Sequence, residues 1–137
     1  MKFRAMIGAA LAMALTAGGA PGQEALPVKI GVLTDMTSVY AAHGGPGSVE
    51  AARMAINDFG GAVLGRQVEL IFADHRNSPD LGTNIARQWY GEGMDAIVDV
   101  PNSGVALAVQ QVSREVKKIV LFSSCPCRKS NPNIVTV

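Results

Sequence analysis

Three aspartates, Asp35, Asp74 and Asp99, stand at or near the ends of successive short apolar runs. Carboxylates gathered at adjacent strand ends are a donor set that can hold Mg²⁺ for phosphoryl transfer. His75, next to Asp74, has the neighbour a general base uses. Other features point away from an enzyme. No nucleophile stands at a fixed offset from His75, no phosphate-cradling Gly-rich loop with its Lys occurs, and the fourth apolar run is followed by no Lys before Lys129. A different chemistry is offered by Asn102-Ser103, which follows Pro101 where a helix begins. Free N–H groups and the helix dipole favour an anion there, although either side chain equally serves as a simple cap. His43 opens the Gly-rich loop His43-Gly44-Gly45-Pro46-Gly47, where an imidazole is either solvated or turned to a ligand. Cys125 and Cys127 flank Pro126. A disulfide across one residue strains the distance between its ends, and two thiols are too few for a metal site, so both are read as unpaired.

These residues punctuate a regular alternation. Val28–Leu33 is an apolar run of strand length ending at Thr34-Asp35. Ser48 is placed to cap a first helix with Glu50 in its first turn and Val49, Ala52, Ile56 and Phe59 at helical spacing, stopped by Gly60-Gly61. Val63-Leu64-Gly65 reads as a turn, and Gln67–Ala73 as a second strand. A second helix starts near Asp80, with Leu81, Ile85 and Trp89 as its apolar stripe. A third strand, Ala96–Val100, is ended by Pro101. Asn102 or Ser103 then caps a third helix with Val105, Ala108, Val109, Val112 and Val116 on one face. Ile119–Phe122 is a fourth strand, and Ile134–Val137 a possible fifth. Strand and helix in turn, with near-continuous apolar strands, predict an α/β fold: an open parallel sheet with helices on both faces. Right-handed crossovers put the loops 34–47, 74–79, 101–103 and 123–133 on one edge, outside the carboxyl ends of the strands, where such sheets bind ligands.

Bulk composition agrees. The 137 residues are 48% hydrophobic and 17% charged, enough for one packed domain and too few for two lobes. A net charge of +1 without a basic run argues against nucleic acid as a partner. Lys2 and Arg4 precede the uncharged stretch Ala5–Ala17, thirteen residues long and short of the about 20 that span a bilayer. The pattern predicts a signal peptide over residues 1–22, cut before Gln23, and hence an exported, periplasmic product.

The ordered set Val28–Thr37, Tyr40-Ala41, Gly44–Gly47, Glu50–Ala55 and Val98–Ser103 leading into Val105–Val109 resembles the start of bacterial branched-chain amino-acid-binding proteins. These are type I periplasmic binding proteins, the solute receptors of ABC importers. The likeness covers Pro27 to Ser124 and fades from Cys125 onward. It implies a two-lobe fold that holds a small solute in the cleft and passes it to a permease, with no cofactor and no metal. Residues 23–137 would then be part of the N-terminal lobe only, cut short by gene truncation or a frameshift, and such a piece would bind leucine weakly or not at all. The ligand-binding positions that the resemblance implies are His43, Asn102, Ser103, Ser124, Cys125 and Cys127. A thiol is a weaker hydrogen-bond partner than the hydroxyl found in relatives, so Cys127 departs from the pattern, as do Pro126 and Arg128-Lys129. An exported sensor module and a Mg²⁺-dependent enzyme using the strand-end aspartates are the competing readings.

Overall fold

A computed structural model describes residues 26–123. The signal-peptide stretch, the run Ile134–Val137 and the positions Ser124, Cys125 and Cys127 lie outside the described residues. The elements in chain order are β1 (Val28–Thr34), α1 (Gly45–Asp58), β2 (Ala62–Val63), β3 (Arg66–Asp74), α2 (Pro79–Gly91), β4 (Ala96–Asp99), α3 (Ser103–Val116) and β5 (Ile119–Phe122). Among the described residues the strands form one sheet in the order β2-β3-β1-β4-β5. β3, β1, β4 and β5 run parallel, and β2 joins β3 antiparallel through a tight turn.

Each strand alternates its side chains between the two faces, and the helices cover those faces unequally. Gly31 turns toward α2, where a Cβ would stand 2.4 Å from Trp89 Cζ3. Its neighbour Ile30 turns the other way, into an apolar groove shared with Ala55 and Ile56 of α1 and with Phe59 just after it. The core lies on the α2–α3 side: Leu33, Ile97 and Phe122 from the sheet meet Ala86, Trp89 and Tyr90 of α2 and Val105, Val109 and Val112 of α3. The Tyr90 hydroxyl donates to the Ile119 carbonyl at 2.8 Å and ties α2 to β5.

Three local expectations need correction. α1 begins at Gly45, three residues before the expected Ser48, with Gly44 at the N-cap and no side-chain cap. Pro46 explains this, because a proline is pre-organised for a first turn and needs no N–H there. Glu50 therefore lies beyond the first turn, in a solvent-exposed ion pair with Arg53 at 3.4 Å. The turn expected at Val63-Leu64-Gly65 is present and closes the β2–β3 hairpin, with Leu64 (φ 50°) and Gly65 (φ 76°) supplying the positive-φ pair that two-residue turns need. The buried stripe of α2 is Gly82, Ala86, Trp89 and Tyr90, while Leu81 and Ile85 are half-buried. The helix is rolled so that Gly82 faces α3, where a Cβ would come within 2.6 Å of Val105 Cγ1. On α3, Val116 is 42% exposed, and Ala106, Gln110 and Ser113 are buried instead.

Candidate functional site

β1 sits in the middle of the sheet. The chain leaves it in one direction to β3, then crosses back over to β4 and β5 on the other side. α1 leaves β1 toward one face and α3 leaves β4 toward the other, so the loops at the ends of these adjacent strands diverge. That is the switch point at which open α/β sheets form a ligand crevice. The register makes the rim level: Thr34 lies opposite Asp74, and Asp99 lies opposite both Leu33 and Phe122.

The first loop is held by two of the strand-end aspartates. Asp35, fully buried, accepts from the backbone N–H groups of Ser38 and Tyr40, each at 2.9 Å, and from the Ser38 hydroxyl. Asp74 accepts from Met36 N at 3.0 Å, the Thr37 hydroxyl at 2.7 Å and Arg76 N at 2.8 Å. Both carboxylates are therefore engaged by the first loop, Asp74 also by Arg76 N of its own. Among the described residues no group of three or more His, Cys, Asp or Glu is placed to hold a metal ion. His75 does not stand as a general base: it is fully buried, and its Nδ1 accepts from Asn77 N at 3.0 Å.

These groups set an acid response. Burial pushes the Asp35 carboxyl up, but the Ser38 hydroxyl and the N–H groups of Tyr40, Ser38 and Thr37 outweigh it and hold it below the ordinary 3.8. Burial likewise pushes Asp74 up, and the Met36, Thr37 and Arg76 donors bring it below that value. For His75, burial lowers the imidazole below 6.5 against the pull of Asp35, Asp74 and Asp99. All three groups bind protons more readily when unfolded, so each contributes stability at high pH that is lost on acidification. Thermal midpoints are expected to start falling below about pH 6.5 as unfolded His75 protonates, and to fall further below about pH 4 as the carboxylates follow. A melting series from pH 8 to pH 3 checks this; a midpoint flat between 7 and 5 would contradict the His75 assignment.

The candidate ligand positions divide into three groups. His43 is exposed at the end of the first loop, with its ring edge-to-face on half-buried Tyr40 at 6.2 Å. Beside it, Gly45 N donates to Thr34 Oγ1 at 3.0 Å, which seats the loop on the end of β1. Asn102 is the N-cap of α3: its Oδ1 accepts from Val105 N at 2.9 Å, and its Nδ2 donates to Asn77 Oδ1 at 2.6 Å. That amide thus ties the β3 loop to the start of α3. Ser103, half-buried, is the first residue of α3. Ser123, the last described residue, donates from its hydroxyl to Asp99 Oδ1. The loops after β1, β3 and β4 and the end of β5 at Ser123 therefore share one rim. Thr34 and Asn77 were not among the expected site residues, and Asp99 was expected only as one of a cation-holding set. The legible signal for each was a polar residue at or just beyond the end of an apolar run.

Asn102→Ala is expected to cost about 1–2 kcal/mol, because it removes a cap and leaves the Asn77 carboxamide without its donor. Asn102→Asp, which keeps the capping oxygen, should recover part of that in a denaturant melt.

An open parallel sheet whose strand-end loops gather at its switch point has the arrangement with which such sheets bind small molecules. Comparison with known proteins names the family: residues 27–136 match the periplasmic binding protein family model, and the chain belongs to that family. It is 36% identical over 107 residues to a Leu/Ile/Val-binding protein homologue of Brucella melitensis, a match covering 77% of this chain and 28% of that protein. The solved periplasmic binding protein of Burkholderia mallei is 40% identical with a TM-score of 0.72, over 74% of this chain and 28% of the other. A branched-chain amino acid ABC transporter periplasmic ligand-binding protein of Burkholderia xenovorans LB400 is 47% identical with a TM-score of 0.69, over 71% and 26%. The chain thus spans less than a third of the length of these relatives. The family is one of solute-binding proteins and not of enzymes.

Proposed function

We propose that this chain supplies one wall of the solute site in an extracytoplasmic binding component of an ABC importer for branched-chain amino acids or related small amides and carboxylates. The observation that carries the reading is the shared rim, on which Asn102 bridges the β3 and β4 loops and Ser123 bridges the β4 and β5 ends. A zwitterionic solute brings a carboxylate that needs N–H and hydroxyl donors. The start of α3 at Ser103 and the β5 side supply them, while the Gly44-Gly45 backbone, whose N–H groups go to Tyr40 O and Thr34 Oγ1, forms the adjoining wall. In this reading His43 closes the side of the crevice from the first loop, and Ser124, Cys125 and Cys127 extend the β5 side. Residues 1–22 direct export to the periplasm, and a membrane permease is the receiving partner.

Ligand sites of this kind enclose most of the solute's surface. One wall leaves much of it in water, so affinity at this rim alone is low. Calorimetry on the 137-residue chain is expected to show no micromolar leucine binding. A chimera joining it to the downstream length of the Burkholderia xenovorans relative should bind leucine tightly. Micromolar binding by the short chain would overturn the one-wall argument, and a silent, folded chimera would count against the solute class.

A further inference from the structure

Asp99 is the strand-end aspartate that no loop of its own absorbs, and its surroundings are unusual in three respects. It is 3% exposed, and its Oδ2 has no hydrogen-bond partner among the described residues. Its φ is 83°, and that of Val100 after it is 57°, so two consecutive non-glycine residues, the second β-branched, sit in the left-handed region. Such conformations cost free energy and persist where the surroundings demand them. Finally, its two oxygens reach two different loops. Oδ1 takes the Ser123 hydroxyl. Oδ2 lies 2.8 Å from the point where a Cβ on Gly44 would stand, and Thr34 Oγ1 lies 2.9 Å from the same point.

We infer that Asp99 is a positioning residue of the crevice: its carboxylate latches the β5 loop through Ser123 and sets how closely the first loop, at Gly44, approaches the end of β4. This deepens the proposed function, since the groups it places are those said to line the solute site, and it rests on that reading for its purpose. The geometry accounts for the strain. Pleat alternation with φ in the ordinary extended range would carry the Asp99 side chain to a face of the sheet. The left-handed turn at 99–100 instead brings it to the rim, between β1 and β5, while Val100 N still donates to Leu33 O at 3.0 Å. The close approach also leaves no room for a side chain at position 44 without moving Asp99 or Thr34.

A residue kept for positioning, at the expense of backbone strain, has a signature that a merely structural residue lacks. Asp99→Gly relieves the positive φ and removes a buried oxygen without a donor, so the thermal midpoint of the full chain is expected to stay level or rise. In the same variant the amides of Gly44 and Gly45 should exchange about tenfold faster, because the first loop loses its stop. Ser123→Ala should leave Gly44 and Gly45 protected and loosen only the end of β5. Asp99→Asn, whose carboxamide oxygen still accepts from Ser123, should restore the protection lost in Asp99→Gly. A midpoint that falls with exchange rising evenly across the sheet would overturn the assignment. So would Gly44 and Gly45 amides that keep their parent rates, or an Asn variant that restores nothing. The comparison needs no ligand. A folded chimera that stays silent toward leucine counts against the solute reading and leaves this test intact.

Discussion

Trp89→Ala is expected to destabilise the domain by about 4 kcal/mol, in the range found when a large buried aromatic is truncated. Trp89 is 7% exposed, and its ring lies over the backbone of β1 at Gly31, where a Cβ would meet two ring carbons at 2.4 and 2.5 Å. Nothing on β1 can fill the space the ring leaves, since the residue beneath it has no side chain. The surrounding Ala86 and Met94 are small or already packed. The loss is a large part of the about 5–15 kcal/mol that holds a domain together. The companion change Gly31→Ala should destabilise by about 1–3 kcal/mol through overpacking. Combined with Trp89→Leu it should cost less than the two changes separately, because both act on one contact. Urea melts of the four chains check the cycle. Strict additivity would mean that the two residues are not in contact.

The second large effect is expected at Phe122. It is 1% exposed, ends β5, and packs into the same core as Leu33, Ile97 and Val109. Phe122→Ala should cost about 3–5 kcal/mol. Its consequence differs from that of the Trp89 change, because Phe122 precedes Ser123, whose hydroxyl joins the end of β5 to Asp99. Amide exchange should therefore rise first along Ile119–Phe122 and at the rim, and later in β1 and β3. Uniform loss of protection through the sheet would show instead that β5 belongs to the same cooperative unit as β1. Phe122→Leu, which keeps most of the apolar volume, should recover more than half of the stability lost.

The fold was legible because the signals were local and repeated. Four apolar runs separated by helical periods are enough to demand a parallel sheet, and the structure pairs β3, β1, β4 and β5 in that manner. Asn102 was legible as a helix start because capping is read from residue type and position. The roll of α2 was not, since the buried face depends on how closely α3 approaches at Gly82, a contact between residues 82 and 105 that no local pattern carries. The start of α1 was misplaced because Ser48 is a good cap by type, whereas Pro46 and the positive φ of Gly45 (51°) decide the matter. The aspartates were the harder case. Their positions at strand ends were visible, but a carboxylate that binds a cation and one that staples a turn look alike in sequence. Only the donors around them tell the two apart, and for Asp35 and Asp74 these are the loop's own N–H and hydroxyl groups.

The account depends on one rim of the sheet acting as the solute wall, and amide chemical-shift mapping of the isotope-labelled chain with a large excess of leucine tests it most directly. Weak, saturable shifts confined to Gly44-Gly45, Ser103–Val105 and Ser123 are the predicted result. Shifts centred on the opposite edge, at Val28, Gly61 and Asp95, or in the groove beneath α1, would contradict it.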